Sequence, residues 1–440
     1  MISEENIQGY WHLPAHPGQQ FTGTLNFGPN ASPRLHITAA PGSDLSVFSY
    51  DTGDYAIWGV DLKGQPITLF GCNRLSIGGS PDTTFNASEI IFGGHVPDAE
   101  QPFFDSVRFS FDGLEDWVNI WGHNLEIKAK DNYNLSYKKP ADIPFTINDN
   151  LHGCITFWNN LPQYHLAETE VHQNTLFKFF FAQKVSTEKL LEQVWTLQQL
   201  ITLFMFEQTK VKWIYGERDG REYRLFYRQK YTEKEYNGRT LFLLPYRVVA
   251  PLLEKTISRW MILTEKLSPI TGILHANIDS SGEFVHNNFL NIVQAVEAFH
   301  RRLLQDTEQL KNENQVLVAR LLDQIACKED KEWLEARLAY SYEPNLRLRL
   351  KELIAKYQEV LFTDQPPKKS INRLISNVVE KRNYFTHYGS SPKKKENEIS
   401  QIIGLTTFLK MLLAFCVLDE IGVPPDILKD NIYNRFRFRI

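Results

Sequence analysis

The apolar positions of this chain change rhythm along its length. Up to about residue 150 they come in short runs cut by Gly, Pro, Asn and Asp: Phe21–Phe27, Arg34–Ile37, Ala56–Leu62, Ile67–Phe70 and Val107–Phe111. Short runs of β-branched and aromatic residues, broken at close intervals, predict a sandwich or a barrel-like pair of sheets. Residues 151–282 mix the two periods. Gly153–Trp158 and Leu176–Phe181 read as strands, and Val211–Tyr215 with Tyr223–Tyr227 as a hairpin. Between them, Leu190, Val194, Leu197, Ile201 and Phe204 recur at helical spacing within Ser186–Gln208, with Ser186 and Thr187 as cap candidates.

From Pro251 onward the pattern is helical. Pro251–Leu267 reads as a connecting helix with its proline in the first turn. A turn over Gly272–Gly282 follows, then helices near Asn287–Leu310, Asn314–Cys327, Leu346–Phe362, Lys369–Phe385, Glu396–Ile421 and Pro425–Asn434. Pro366-Pro367 and Ser391-Pro392 break them. The fold class expected is therefore α+β and multidomain. It comprises a β-rich, sandwich-like part over 1–150, an α+β extension with a helical connector over 151–282, and an all-α bundle over 283–440.

Charge sharpens this division. Residues 283–440 hold 24 Lys+Arg against 21 Asp+Glu, or +3, and residues 1–282 hold 24 against 31, or −7. A mildly basic helical part permits a nucleic-acid partner without requiring one. The four cysteines, Cys72, Cys154, Cys327 and Cys416, are far apart and form no CxxC pair. That spacing argues against a disulfide framework or zinc site and for reduced thiols in a cytoplasm. The polar, acidic opening Met1–Gln8 is unlike a signal peptide. The apolar run Thr406–Val417 is too short to span a bilayer and reads as a buried helix, so no membrane partner is expected. No Walker loop, Rossmann fingerprint or HExxH occurs, His152 and Cys154 lack neighbouring partners, and neither metal nor cofactor is expected.

The sharpest chemistry lies in Arg382-Asn383-Tyr384-Phe385-Thr386-His387. RNA carries its own nucleophile, the 2′-hydroxyl. Cleavage needs that hydroxyl deprotonated, the 5′-oxygen protonated and the added charge on phosphorus stabilised. Imidazole, with an unperturbed pKa of about 6.5, suits the proton transfers. Guanidinium, planar and always charged, suits the phosphate. Five residues of unbroken helix turn through roughly 500°, leaving Arg382 and His387 about 140° apart. Either the helix frays near Phe385, where Gly389 and Pro392 follow, or a second chain contributes; we expect both, with two motifs facing each other across a two-fold axis.

Around this pair the residues leave alternatives open. Asn383 either orients His387 or a phosphate oxygen, or satisfies local backbone. Glu297, in an otherwise small and apolar stretch, either holds the Arg382 guanidinium or is a half-exposed helix charge. His300–Arg302 read as solvated surface. Tyr388 either stacks on an unpaired base or is a surface aromatic. Lys393, Lys394 and Lys395 either contact RNA backbone or form a solvated loop.

Two stretches resemble one family. Gly9-Tyr10-Trp11-His12-Leu13-Pro14, Gly23-Thr24-Leu25, Ile67-Thr68-Leu69-Phe70 and Leu114-Glu115-Asp116-Trp117 resemble the N-terminal domain of ApeA-type proteins. Residues 283–440, with Arg382, Asn383 and His387 at the Arg–polar–gap–His positions, resemble their HEPN domain. The resemblance implies an anti-phage abortive-infection protein with a C-terminal HEPN helical bundle. Such bundles commonly dimerise, and many are metal-independent ribonucleases. The function expected is RNA cleavage, with transfer RNA as the suspected substrate and 2′,3′-cyclic phosphate products. The N-terminal half would then sense or regulate, in response to a phage-derived trigger. The alternative is a non-catalytic HEPN dimerisation or binding module with a ligand-binding β domain.

Overall fold

The computed structural model describes residues 5–28, 30–38, 47–48, 55–75, 82–130, 132–159, 163–164, 169–229, 236, 240–278, 284–387, 398–433 and 436–439. The chain divides into two compact units: Met1–Ile201 with Thr209–Thr240, and Thr202–Gln208 with Leu241–Ile440.

The first unit opens with six antiparallel strands, β1 (Glu5–His12), β2 (Phe21–Gly28), β3 (Ala31–Thr38), β4 (Tyr55–Asp61), β5 (Pro66–Arg74) and β6 (Asp82–Asn86). Their order is β5-β4-β1-β2-β3-β6, and β6 returns to β5 through the pairs Asn73↔Asn86 and Arg74↔Phe85. The ring is thus a closed barrel, which leaves no free edge among these six strands. The residues pointing inward, among them Trp11, Leu25, Leu35, Ile37, Ile57, Ile67, Leu69 and Phe85, are fully buried. Trp11 lies where β4 and β2 carry glycine. A Cβ on Gly59 would stand 2.2 Å from its ring, and its Nε1 donates to the Gly23 carbonyl at 3.2 Å.

Beyond the barrel the sheet continues. It runs from β5 through β7 (Glu89–Phe92), β17 (Arg221–Tyr227), β16 (Val211–Arg218), β8 (Phe104–Phe111), β15 (Gln173–Val185) and β12 (Leu151–Asn159) to β11 (Ile143–Asn148). The strands past residue 150 therefore belong to the same 13-stranded sheet as those before it. A separate hairpin, β9 (His123–Ala129) and β10 (Asn132–Tyr137), and a two-residue pair, β13 (Gln163–Tyr164) and β14 (Thr169–Glu170), stand outside it. The β16–β17 turn is shorter than the sequence suggests. Both strands extend to an Asp219-Gly220 corner with φ of 49° and 77°, the left-handed pair a tight hairpin needs. A short helix, α1 (Leu114–Val118), buries Trp117, and α2 (Thr187–Met205) follows β15. Ser186 caps α2 by accepting from the Lys189 amide at 3.1 Å, and all five of its periodic apolar residues are buried.

The second unit is helical: α3 (Tyr246–Val249), α4 (Leu253–Leu267), α5 (Ile270–Ile278), α6 (Val285–Phe299), α7 (Thr307–Leu322), α8 (Lys328–Leu338), α9 (Leu346–Leu361), α10 (Lys368–His387), α11 (Glu398–Glu420) and α12 (Pro425–Asn431). Helices α6, α9, α10 and α11 pack in a ring, α6 on α11, α11 on α9, α9 on α10 and α10 on α6. Helix α11 is central and has an apolar face all round. By length and composition it could cross a membrane, yet most of it is buried, with Leu409, Leu412, Phe415 and Leu418 wholly covered.

Two readings of the sequence are corrected here. The start of the expected Gly272–Gly282 turn is helical, because Ile270, Thr271, Leu274, Asn277 and Ile278 form one buried stripe around Gly272. Between Cys327 and Leu346 lies α8, which the apolar pattern does not reveal because it buries no residue at all.

His275, on α5, places a buried Nε2 with no hydrogen-bond partner among the described residues. Burial lowers its pKa from 6.5 to about 4. A base depressed in the folded state binds its proton more readily when unfolded, so stability falls as pH drops from about 6.5 towards 4. The full effect is roughly 3 kcal/mol. Melting curves of the full chain should therefore shift down between pH 7 and 5, and His275→Leu should flatten that dependence. An unchanged slope in the variant would refute the assignment.

Candidate active site in the helical bundle

Helix α10 carries the Arg–His motif on its last two turns, against α6. The helix does not fray at Phe385; it runs to His387. Nothing between Arg382 and His387 opposes helix. Thr386 Oγ1 donates to the Arg382 carbonyl at 2.7 Å, and Phe385 is anchored edge-on against His286 and Phe289 of α6, with ring centroids 4.5 and 6.1 Å away. Gly389 and Pro392 come too late to unwind this turn. Arg382 and His387 therefore point roughly 140° apart within one chain.

Arg382 is held on two sides. Its Nη2 stands 3.9 Å from Glu297 Oε2 on α6, and its Nη1 donates to Asn383 Oδ1 at 3.2 Å. Its side chain is about one-third exposed and that of Glu297 about one-fifth, so the guanidinium reaches solvent. Glu297 thus stands beside Arg382, at a separation longer than a hydrogen bond. Asn383 and His387 are both exposed, and His387 has no side-chain partner among the described residues. Tyr388, Lys393, Lys394 and Lys395 lie outside the described residues. Among the described residues, no group of three or more His, Cys, Asp or Glu side chains is placed to hold a metal ion.

About one helical turn beyond Glu297 along the chain lies a polar cluster that the sequence reading missed. His300 is buried rather than solvated. It opens a π-helical turn, His300–Leu304, and its Nε2 meets Glu352 Oε2 at 2.6 Å. Such turns recur at functional sites. Its Nδ1 faces Arg349 Nη1 at 3.3 Å, and Arg349, on α9, is 1% exposed. A signal for Arg349 was present. Leu346, Arg349, Leu350 and Leu353 form one buried helical stripe, and an arginine in such a stripe requires partners.

A positively charged, partly exposed guanidinium with an accessible imidazole five residues on can bind a phosphate and exchange protons. Within one chain these groups face different sides.

Comparison with known families places both units. Residues 6–260 match the model for ApeA N-terminal domain 1, and residues 290–427 match that for Apea-like HEPN. No curated protein and no solved structure matches the chain. The first match alone spans more than half of the 440 residues, and the second contains Glu297, Arg382 and His387. The chain belongs to the ApeA family, an anti-phage protein of the HEPN type.

Proposed function

We propose that this protein is a metal-independent endoribonuclease that cleaves host RNA during abortive infection. The observation that supports this most is the placement of Arg382, beside Glu297 and bonded to Asn383 yet open to solvent, on the same helix as an exposed His387. The guanidinium takes the scissile phosphate and stabilises its added negative charge. An imidazole removes the 2′-hydroxyl proton as that oxygen bonds to phosphorus. The bond to the 5′-oxygen breaks, and that oxygen takes up a proton. The products are a 2′,3′-cyclic phosphate and a 5′-hydroxyl. Because Arg382 and His387 diverge on one helix, a homodimer brings two motifs to one cleft. HEPN domains commonly bind RNA and dimerise, which agrees with this arrangement.

Transfer RNA is the substrate class favoured, since its loops expose unpaired nucleotides and its loss stops translation. The β-rich unit keeps the enzyme off until a phage-derived signal arrives. The protein acts in the cytoplasm, consistent with its four free cysteines.

The test is cleavage of total cellular RNA by the purified chain with EDTA present, followed by end-group analysis. Discrete fragments with cyclic-phosphate ends are expected, in clean buffer or in extract of phage-infected cells. Activity that EDTA abolishes, or 5′-phosphate ends, would overturn the proposal.

A further inference from the structure

Helix α2 has two working faces. One buries Leu190, Val194, Leu197, Ile201 and Phe204. On the other, Glu188, Leu191, Glu192 and Trp195 recur at three- and four-residue spacing and so share a side of the helix. That side walls a cleft of about 610 Å³ within the first unit, a volume suited to a small ligand. Facing it are Glu89, which opens β7, and Tyr227, which closes β17. These two are direct cross-strand partners, so their side chains stand together on one face of the sheet.

Several polar groups of this cleft lack a partner within the protein. Glu89 is half-buried, and among the described residues its carboxylate makes no hydrogen bond or ion pair. The same holds for the carboxylate of Glu188 and the hydroxyl of Tyr227. Burial, and then the charge of Glu188, raise the pKa of Glu89; burial pushes up that of Tyr227. Glu192 is already paired with Lys189 at 2.7 Å. Arg228, the one cation lining the cleft among the described residues, is exposed and donates to Ser32 Oγ at 3.0 Å rather than to a carboxylate. Two carboxylates therefore repel each other here, one of them half out of water, with no cation to offset them. A ligand cation would remove both costs. Trp195, 52% exposed, offers an indole to such a cation, and Leu191 offers an apolar surface to whatever carries it.

We propose that this cleft binds a primary alkylammonium group, whose N–H donors meet Glu89, Glu188 and the Tyr227 hydroxyl while its chain lies along Leu191 and Trp195. An ammonium has three donors and no acceptor, and the cleft offers three free acceptors. Free amines and the lysine side chain of a peptide share this chemistry. Binding here needs no nuclease activity in the helical unit, so it stands or falls apart from the function proposed above.

The experiment is calorimetric titration of the full chain with n-hexylammonium, with its neutral counterpart 1-hexanol, and with an end-blocked Gly-Lys-Gly peptide. Hexylammonium should bind at least about tenfold more tightly than hexanol, since a hydrogen-bonded charge replaces a neutral group. Glu89→Gln keeps the shape and removes the charge. It should weaken hexylammonium about tenfold and leave hexanol within about twofold. It should also raise the melting temperature of the ligand-free chain, because an uncompensated, half-buried charge is gone. If Glu89→Gln does not fold by circular dichroism, Glu188→Gln, exposed on α2, carries the test with an expected weakening of about threefold. Tighter binding of the peptide than of hexylammonium would support the site and assign it to a lysine side chain. Binding of hexylammonium without the peptide would support it and assign it to a free amine. Equal affinity for hexylammonium and hexanol, or no binding of either amine up to about 10 mM, would overturn the proposal. So would a Glu89→Gln chain that binds hexylammonium like wild type, or one that both melts lower and binds less, which would mark the carboxylate as structural.

Discussion

His387→Ala is expected to abolish RNA cleavage while leaving the protein folded. Loss of a positioned general acid–base typically costs about 10²–10⁴ in rate. His387 is exposed at the end of α10, with no side-chain hydrogen bond or ion pair among the described residues, so its removal should leave the melting temperature within about 1 °C. Arg382→Ala should cost about 10²–10³, the usual worth of one charge-stabilising donor, and should also free Glu297. The two losses should not add, because both groups serve one displacement and either absence stops it. In cells, both variants should lose host toxicity. A His387→Ala protein that still cuts, or still kills, would sink the proposed mechanism; one that fails to dimerise would instead assign His387 to assembly.

The motif was legible because its chemistry is local: an arginine, a polar residue and a histidine within six positions. Its surroundings were legible only in part. Glu297 stood out as a charge in an apolar stretch. Arg349, an arginine in an apolar helical stripe, calls for partners, but its partner His300 was not legible, because 49 residues separate the two and they meet only where the folded helices do. The helix continues past the end expected near Phe385, because the breakers Gly389 and Pro392 lie several residues further along the sequence. Hydrogen bonding and the Phe385 anchor hold that turn instead. In the β-rich unit, strand positions followed from alternation and turn residues. Closure of the barrel could not, since it is made by two residue pairs at the ends of β5 and β6, and no periodicity encodes which strands meet.

The barrel carries the second large expectation, at Trp11. Trp11→Ala should destabilise the first unit by about 3–5 kcal/mol, through lost burial and a cavity that closed strands cannot collapse to fill. The side chain is fully buried and its Nε1 is committed to the Gly23 carbonyl. Gly59→Ala should also destabilise, by about 1–3 kcal/mol, because its new methyl would stand 2.2 Å from the indole and one of the two must shift. The pair is informative. In Trp11→Ala/Gly59→Ala the methyl enters the space the indole left, so the double variant should be less damaged than the sum by about 1 kcal/mol or more. Urea unfolding of the full chain, followed by the loss of β-sheet signal, measures all three. Additive losses would mean that Trp11 and Gly59 are not in contact and that strand β1 does not sit against β4 as described. The Trp11 and Gly23 motif pieces through which the chain resembles its family would then need a reason other than packing, since in this barrel they are one object: an indole, and the small residues that β2 and β4 must carry to make room for it.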